Sequence, residues 1–306
     1  MPADAQGIAE AARLIRDGQP VAIPTETVYG LAADATSGEA IARIYAAKGR
    51  PSFNPLIVHV RNLAEAERLG RFEPKARGLA ERWWPGPLTL VVPLREDAGI
   101  ASLTTAGLPA VAIRVSAHPV MQAVLAASGR PFAAPSANAS GRISPTRAEH
   151  VAASLEGRIP LILDAGPTEL GLESTIVAVF GGMLRLLRPG PIPAEELDAA
   201  IVQEGPIEAP GQLASHYAPG KPLRLNAQAA DADEWMIGFG ATSGHANLSL
   251  GGDLNEAAAR LFDLLHEADA QPLPRIAVAP LPDHGLGFAI NDRLRRAAAP
   301  RDHHDR

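Results

Sequence analysis

The chain contains no cysteine, which excludes disulfides, thiolate metal sites and a cysteine nucleophile. Aromatic residues make up only 4% of the 306 positions, so any core must be built mainly from aliphatic side chains. Just three of the 28 basic residues are lysines, Lys48, Lys75 and Lys221, and a lysine inside a motif has to be weighed against that arginine bias. An excess of positive charge is also missing. Residues 1–200 carry 19 basic and 20 acidic side chains and residues 201–306 carry 9 and 14, for a net charge of −6 overall. That balance argues against an extended surface for nucleic-acid phosphates. No apolar run approaches the roughly 18 residues of a membrane helix. The opening segment MPADAQGIAEAARLIRDG lacks the basic-then-apolar order of a secretory signal, so a cytoplasmic protein is expected. Also absent are a GxxxxGK[ST] phosphate loop, an HExxH pair and a GxSxG elbow. GFGATSG (238–244) follows a strand without GxGxxG spacing and reads as a plain turn.

What is present is ample apolar material, 46% of the chain, and a length that suggests two domains. Asp4 caps a first helix whose apolar positions are Ile8, Ala11, Ala12 and Ile15, ending at Gly18. A strand from Pro20 to Pro24 runs into TETVYG. A second helix is expected to open at Thr36 with Glu39 three residues on, bury Ile41, Ile44 and Tyr45, and stop at Gly49. Extended segments follow at LIVHV (56–60), LTLVVP (88–93), AVAIRV (110–115), FAAPS (132–136), LILDAG (161–166) and STIVAVF (174–180). The last meets LRLLR across Gly181-Gly182, a hairpin signal. Helices fit residues 63–69, 75–83, 118–127, 145–156 and 193–204. This mixture, without strict βαβ alternation, predicts an α+β domain with a mixed sheet. Residues 205–222 are rich in proline and glycine and read as a linker. Strands at 223–225, 235–239 and 275–280, with helices at 255–268 and 286–298, predict a small α/β domain. The domains expected are therefore 1–204 and 223–306. The terminal RDHHDR reads as a tail.

Four polar clusters leave apolar strands or helices. PTETVYG (24–30) offers two threonine hydroxyls and backbone amides, as a ligand site or a β-edge turn. In KGRP (48–51), Lys48 shares the buried face of its helix with Ile41 and Ile44. It either snorkels outward at the helix carboxyl end or converges with Arg50 on one anion. Asn54 and His59 follow. In AVAIRV, Val111, Ile113 and Val115 face one way and Arg114 the other. A guanidinium among small residues needs a carboxylate or phosphate partner, internal or bound. APSANASGRISPT (134–146) places Ser136, Asn138 and Ser144 before a helix, with Ser144 as its expected cap and Pro145 at its first position, the makings of an anion site. ESTIV (173–177) and RPG (188–190) add Ser174 and Arg188.

PTETVYGLAADA, KGRP, NPLIVHV, WPGPLT, AIRVSAHP, APSANASG, ESTIV and LRPG occur in that order. The chain thereby resembles the YrdC-like family of threonylcarbamoyl-AMP synthases over about residues 7–200. HYAP (216–219), GDLNEAAARLF and GLGFAINDRLRRAA resemble its longer, two-domain form. The resemblance implies a twisted mixed sheet with helices around a concave, positively charged cavity, plus a small Rossmann-like C-terminal α/β domain. It implies condensation of L-threonine, bicarbonate or CO2, and ATP into threonylcarbamoyl-AMP and pyrophosphate. A separate transferase complex then acts on tRNA position 37. The family signature KxR with SxN falls on Lys48, Arg50, Ser136 and Asn138, the implied catalytic set. Thr27, His59, Arg114 and Ser174 would hold threonine. Arg50, Asn54, Ser136, Asn138, Ser144 and Arg188 would hold ATP, with Tyr217 closing over it. Magnesium would travel with ATP, held by no protein side chain, and no organic prosthetic group is implied.

The implied reaction needs no protein nucleophile, because the threonine amine takes up CO2 and the carbamate attacks the α-phosphorus. The proton acceptor is left open between solvent, phosphate and His59. QLAS (212–215) departs from the aromatic and basic residues usual before HYAP. One rival reading is a module that captures RNA or a nucleotide without turnover, so weak RNA contact is kept as a partner alongside the small substrates. A second rival is carbamoyl-adenylate chemistry on a different acceptor. No membrane partner is expected.

Overall fold

The computed structural model describes residues 1–51, 53–197, 200–201 and 215–300. Helix α1 (Ala5–Arg16) begins where the Asp4 carboxylate accepts the Gly7 amide at 2.8 Å. Strands β1 (Val21–Ile23) and β2 (Gly30–Asp34) flank the PTETV turn. Helix α2 (Gly38–Lys48) is capped by Ser37, whose hydroxyl accepts the Ala40 amide, rather than by Thr36. Thr36 instead donates its amide and hydroxyl to the Asp34 carboxylate, which holds it outside the helix. The helix ends as expected at Gly49, in the left-handed region at φ +61°. β3 (Ile57–His59), α3 (Leu63–Leu69), α4 (Pro74–Trp83), β4 (Leu88–Pro93), β5 (Ala110–Arg114), α5 (Pro119–Ser128) and β6 (Phe132–Ala133) fall within the predicted segments or a residue from them.

Helix α6 (Ala148–Leu155) starts three residues later than expected, with Arg147 and not Ser144 before it. The carbonyls of Pro145 and Thr146 accept the amides of Tyr29 and Thr168, so this stretch is tied to neighbouring chain instead of winding into a helix. β7 (Leu161–Ile162) precedes the hairpin of β8 (Thr175–Phe180) and β9 (Met183–Arg188), which turns through Gly181 and Gly182, both at positive φ. The helix expected over 193–204 does not form in its described part. A 3-10 turn at Ala194–Glu196 and strand β10 (Ala200–Ile201) occur there instead. Ile192 and Leu197 are drawn onto the core, and β10 pairs with β9. Residues 198–199 and 202–204 of that segment, residues 205–214 of the linker and the terminal RDHHDR lie outside the described residues.

After residue 215 come β11 (Leu223–Arg224), β12 (Glu234–Gly238), β13 (Ala246–Asn247), α7 (Leu254–Ala270), β14 (Arg275–Val278) and α8 (Leu286–Ala298). Among the described residues, β1–β10 form one mixed sheet in the order β10-β9-β8-β4-β5-β3-β6-β2-β1-β7, and the last four strands form a second, β11-β14-β12-β13. The expectation of a partly parallel second sheet is exceeded, since all its pairs are parallel.

Strand alternation in the large sheet places the site. Val111, Ile113 and Val115 enter the main core, while Ile57, Val91, Ala112, Ile176 and Ala178 form a smaller cluster on the other face. Two residues along from members of that second cluster, hence on the same face, lie His59, Thr89, Arg114 and Ser174. The register sets His59 beside Arg114 and Arg114 beside Thr89. One end of an apolar sheet face thus becomes a polar row.

Candidate functional site

The polar row opens onto a cavity lined by Thr27, Arg50, His59, Arg114, Ser136, Ser174, Arg188 and Tyr217, with Glu173 and His216 among its other walls. Eight of the twelve residues expected at the site meet there. Lys48, Asn54, Asn138 and Ser144 do not line the cavity but are bonded to the segments that do.

Arg114 shows how the first cluster is fixed. Its Nη1 donates to Thr27 Oγ1 at 2.9 Å, and Nη2 lies 2.8 Å from Glu26 Oε1. The other Glu26 oxygen accepts the Ser116 hydroxyl. Burial alone would raise the Glu26 carboxyl, but the Arg114 guanidinium and the Ser116 hydroxyl outweigh it and bring it down to about 2. The partner left open for Arg114 in the sequence is therefore, at least in part, internal. Thr25 Oγ1 accepts the amides of Thr27 and Val28 and shares a hydrogen bond with Thr27 Oγ1, which locks the PTETV turn.

Lys48 is 2% exposed. Its Nζ donates to the carbonyls of Ser136, at 2.6 Å, and Asn138. Burial, with Arg50 nearby, pushes its ammonium well below its ordinary value. It neither snorkels outward nor faces the cavity; it staples α2 to the 136–138 loop. Arg50 does face the cavity. Its Nη2 donates to Pro55 O at 3.1 Å, and burial lowers it to about 10. The Asn138 amide nitrogen is spent on the carbonyls of Ala139 and Arg142.

At the hairpin ends, Arg188 donates to Ser174 O and Oγ at 2.9 and 3.1 Å, and Ser174 Oγ shares a 2.7 Å hydrogen bond with Thr89. Burial lowers the Arg188 guanidinium. His59 is pressed down to about 3 by burial and by Arg114, so it is neutral near pH 7. Ser144 does not cap a helix; its hydroxyl goes to Glu173.

Residues 216–219, expected within a linker, are buried. Ala218 N donates to Gly141 O and His216 N to Arg296 O, and Tyr217 is 1% exposed at φ +63°. With His216 and Tyr217 in place the cavity holds about 40 Å3, room for a few waters and far below the ~300 Å3 of a small-molecule pocket.

Some buried polar atoms have no hydrogen-bond partner: His59 Nδ1, His216 Nδ1 and Tyr217 OH on cavity-lining residues, and Asn54 Oδ1 and Asn138 Oδ1 on residues that do not line it. Such atoms are costly to leave unmatched. Sequence reading missed Glu26, Thr89, Ser116 and Glu173, and Arg293 of helix α8. Glu26 and Glu173 lay inside quoted motifs, but nothing local revealed which cations they would meet.

Fold and site together define a protein whose sheet end gathers guanidinium and hydroxyl groups around one small cavity. A family profile described as telomere recombination (Sua5, YciO and YrdC) matches residues 13–190. A second, described as the C-terminal domain of threonylcarbamoyl-AMP synthase, matches residues 192–299. The threonylcarbamoyl-AMP synthase of Bacillus subtilis is 42% identical over 327 residues, covering 96% of this chain and 93% of that one. That of Pyrococcus abyssi is 38% identical over 320 residues, covering 95% and 94%. The crystal structure of P. abyssi Sua5 complexed with L-threonine superposes with a TM-score of 0.86 at 37% identity, covering 95% of this chain and 94% of that one. E. coli YciO, at 20% identity, shares the fold with a TM-score of 0.55 over 63% of the chain. The chain belongs to the Sua5/YciO/YrdC family.

Proposed function

We propose that this protein is an L-threonylcarbamoyladenylate synthase, a nucleotidyltransferase that makes the activated intermediate for threonylcarbamoyladenosine at tRNA position 37. The threonine amine forms an N–C bond to CO2 and gives up a proton. A carbamate oxygen then attacks the α-phosphorus of ATP, the bond to the β-phosphate oxygen breaks, and pyrophosphate leaves. The observation that carries the reading is the convergence of Arg50, Arg114 and Arg188 with Thr27, Ser136 and Ser174 on one cavity, from strands and loops spread over 160 positions.

In this reading Arg114 and Thr27 receive the threonine carboxylate, with His59 and Ser174 beside it. Arg50, Asn54, Ser136, Asn138, Ser144 and Arg188 serve ATP. The cavity is positive, with three guanidiniums against Glu173 on its walls, and these cations offset charge as pyrophosphate departs. Lys48 acts by fixing the carbonyl edge of the 136–138 loop. Neutral His59 can accept a hydrogen bond from the amine but is a weak base. Tyr217 and His216 withdraw to admit ATP and close over it. Magnesium arrives on the triphosphate; among the described residues no three His, Asp or Glu side chains are grouped to hold a metal. The product passes to a separate threonylcarbamoyl transferase complex in the cytoplasm. Among the described residues no helix is long and apolar enough to cross a membrane. We divide the chain into a catalytic domain at 1–204, a linker at 205–222 and a Rossmann-like domain at 223–306. The separate sheets support that division.

The test is pyrophosphate release from ATP, with threonine and bicarbonate supplied together or singly. Release that requires both is expected. Equal release without threonine overturns the assignment, and equal release with serine in place of threonine moves it to another acceptor.

A further inference from the structure

Arg293 lies in α8, far along the chain from every residue assigned to the site, yet it is fully buried. Its Nε donates to Glu173 Oε2 at 2.8 Å, Nη2 to Pro189 O at 2.8 Å and Nη1 to Asp292 Oδ2 at 2.7 Å. Glu173 and Pro189 stand at the two ends of the β8–β9 hairpin, one residue before Ser174 and one after Arg188. The other Glu173 oxygen accepts the Ser144 hydroxyl. The same guanidinium sits 5.1 Å from the centre of the Tyr217 ring, within cation–π range. The neighbouring Arg296 carbonyl accepts the His216 amide.

We propose that Arg293 is a positioning residue for the nucleotide side of the synthase, through which the C-terminal helix α8 sets Ser144, Arg188 and Tyr217. This rests on the assignment of those three residues to ATP. A buried ion pair is a poor device for stability alone, since apolar side chains of similar volume often do as well. What a guanidinium adds is direction: three acceptors lie along three different N–H bonds of one rigid plane, and an ammonium cannot serve them all from a single point. The clamp also gives the second sheet and its helices a part in catalysis without any contact to substrate.

The experiment compares Arg293→Lys and Glu173→Gln in the full-length protein, measuring KM for ATP and for threonine, kcat and the thermal midpoint. Arg293→Lys is expected to raise KM for ATP about tenfold or more while KM for threonine moves by less than about threefold. Glu173→Gln is expected to do the same, and the double variant to be no worse than the poorer single one, because both break one link. If both constants rise equally, or neither moves while only the midpoint falls, Arg293 is structural and the proposal is wrong. Should Arg293→Lys fail to fold, Glu173→Gln decides by the same split, since Arg293 then keeps Asp292. Ser144→Ala and Tyr217→Ala separate this proposal from the reading beneath it. If both leave KM for ATP unchanged, the nucleotide assignment fails and takes the clamp with it. If they raise it while Arg293→Lys and Glu173→Gln do not, the clamp alone fails.

Discussion

Arg114 and Glu26 form an ion pair at 2.8 Å with side chains 4% and 8% exposed, and Arg114 also lines the cavity. Glu26 does two things for the arginine. It offsets the cost of burying a guanidinium, and with Thr27 it fixes the plane of the fork, so the remaining N–H bonds have a set direction.

Arg114→Ala is expected to weaken threonine binding by roughly 100-fold, the scale of a lost charge-assisted pair in a buried site. It also leaves Glu26 buried without its partner, so stability should fall by about 3–5 kcal/mol. Calorimetric titration with threonine and a denaturant melt read the two effects. Unchanged affinity with lowered stability would return Arg114 to a purely structural role.

The Glu26 carboxyl also gives a pH signature. Its folded value is held at about 2 against an ordinary 4.5, so the pair contributes fully above about pH 4.5 and its contribution is lost as pH falls toward 2. Glu26→Gln should flatten that part of the stability profile, as followed by thermal midpoints at stepped pH. Identical profiles for the two proteins would contradict the pairing.

A second window lies higher. Burial lowers His59 to about 3, and His150 and His266, stacked at 3.8 Å, to about 4 each. These rings are neutral in the fold, whereas the unfolded chain takes up protons below about pH 6.5. Their contribution is complete above that value and declines on acidification toward pH 4. The thermal midpoint should therefore be lower at pH 5 than at pH 7.5, and His150→Gln should narrow the gap.

Lys48→Ala and Arg50→Ala are each expected to lower turnover roughly 100-fold, by different routes. Arg50 faces the cavity, so its loss should appear in KM for ATP as well as in kcat. Lys48 holds the carbonyls of Ser136 and Asn138, so its loss should also loosen residues 136–140 in hydrogen exchange. Wild-type rates from either variant would remove that residue from the site.

Gly171 sits at φ +69°, where a Cβ would come within 2.6 Å of the α7 backbone at Ala258 and Ala259. Gly171→Ala adds the left-handed strain of an L residue, about 1–2 kcal/mol, to a backbone clash that only a shift of α7 or of the Gly171 segment can relieve. Lower stability together with weaker closure over ATP is expected, read by melting and by KM.

Most of the strands and helices were legible because strand alternation, Gly49, the Gly181-Gly182 turn and the Asp4 cap are local signals. The misplaced pieces were decided at longer range. Thr36 lost the α2 cap to Ser37 because Asp34 claims it. Pro145 and Thr146 gave their carbonyls to Tyr29 and Thr168, which delayed α6. The helix expected after Pro193 yielded to core contacts of Ile192 and Leu197. At the site, Arg50, Arg114, Ser136, Ser174 and Arg188 could be named from motifs, but Glu26, Glu173 and Arg293 could not be given their partners.

The sequence by itself determined which residue types were available and in what local geometry: hydroxyls and arginines leaving apolar strands, a lysine on a buried helix face, and no thiol chemistry. Tertiary structure alone decided which polar groups meet, because His59 and Arg114, Glu173 and Arg293, or Lys48 and Ser136 are joined by strand register and helix docking. Those joints come from packing apolar faces that are distant in sequence. A hydrogen bond across such a joint leaves no periodic or compositional trace in the chain.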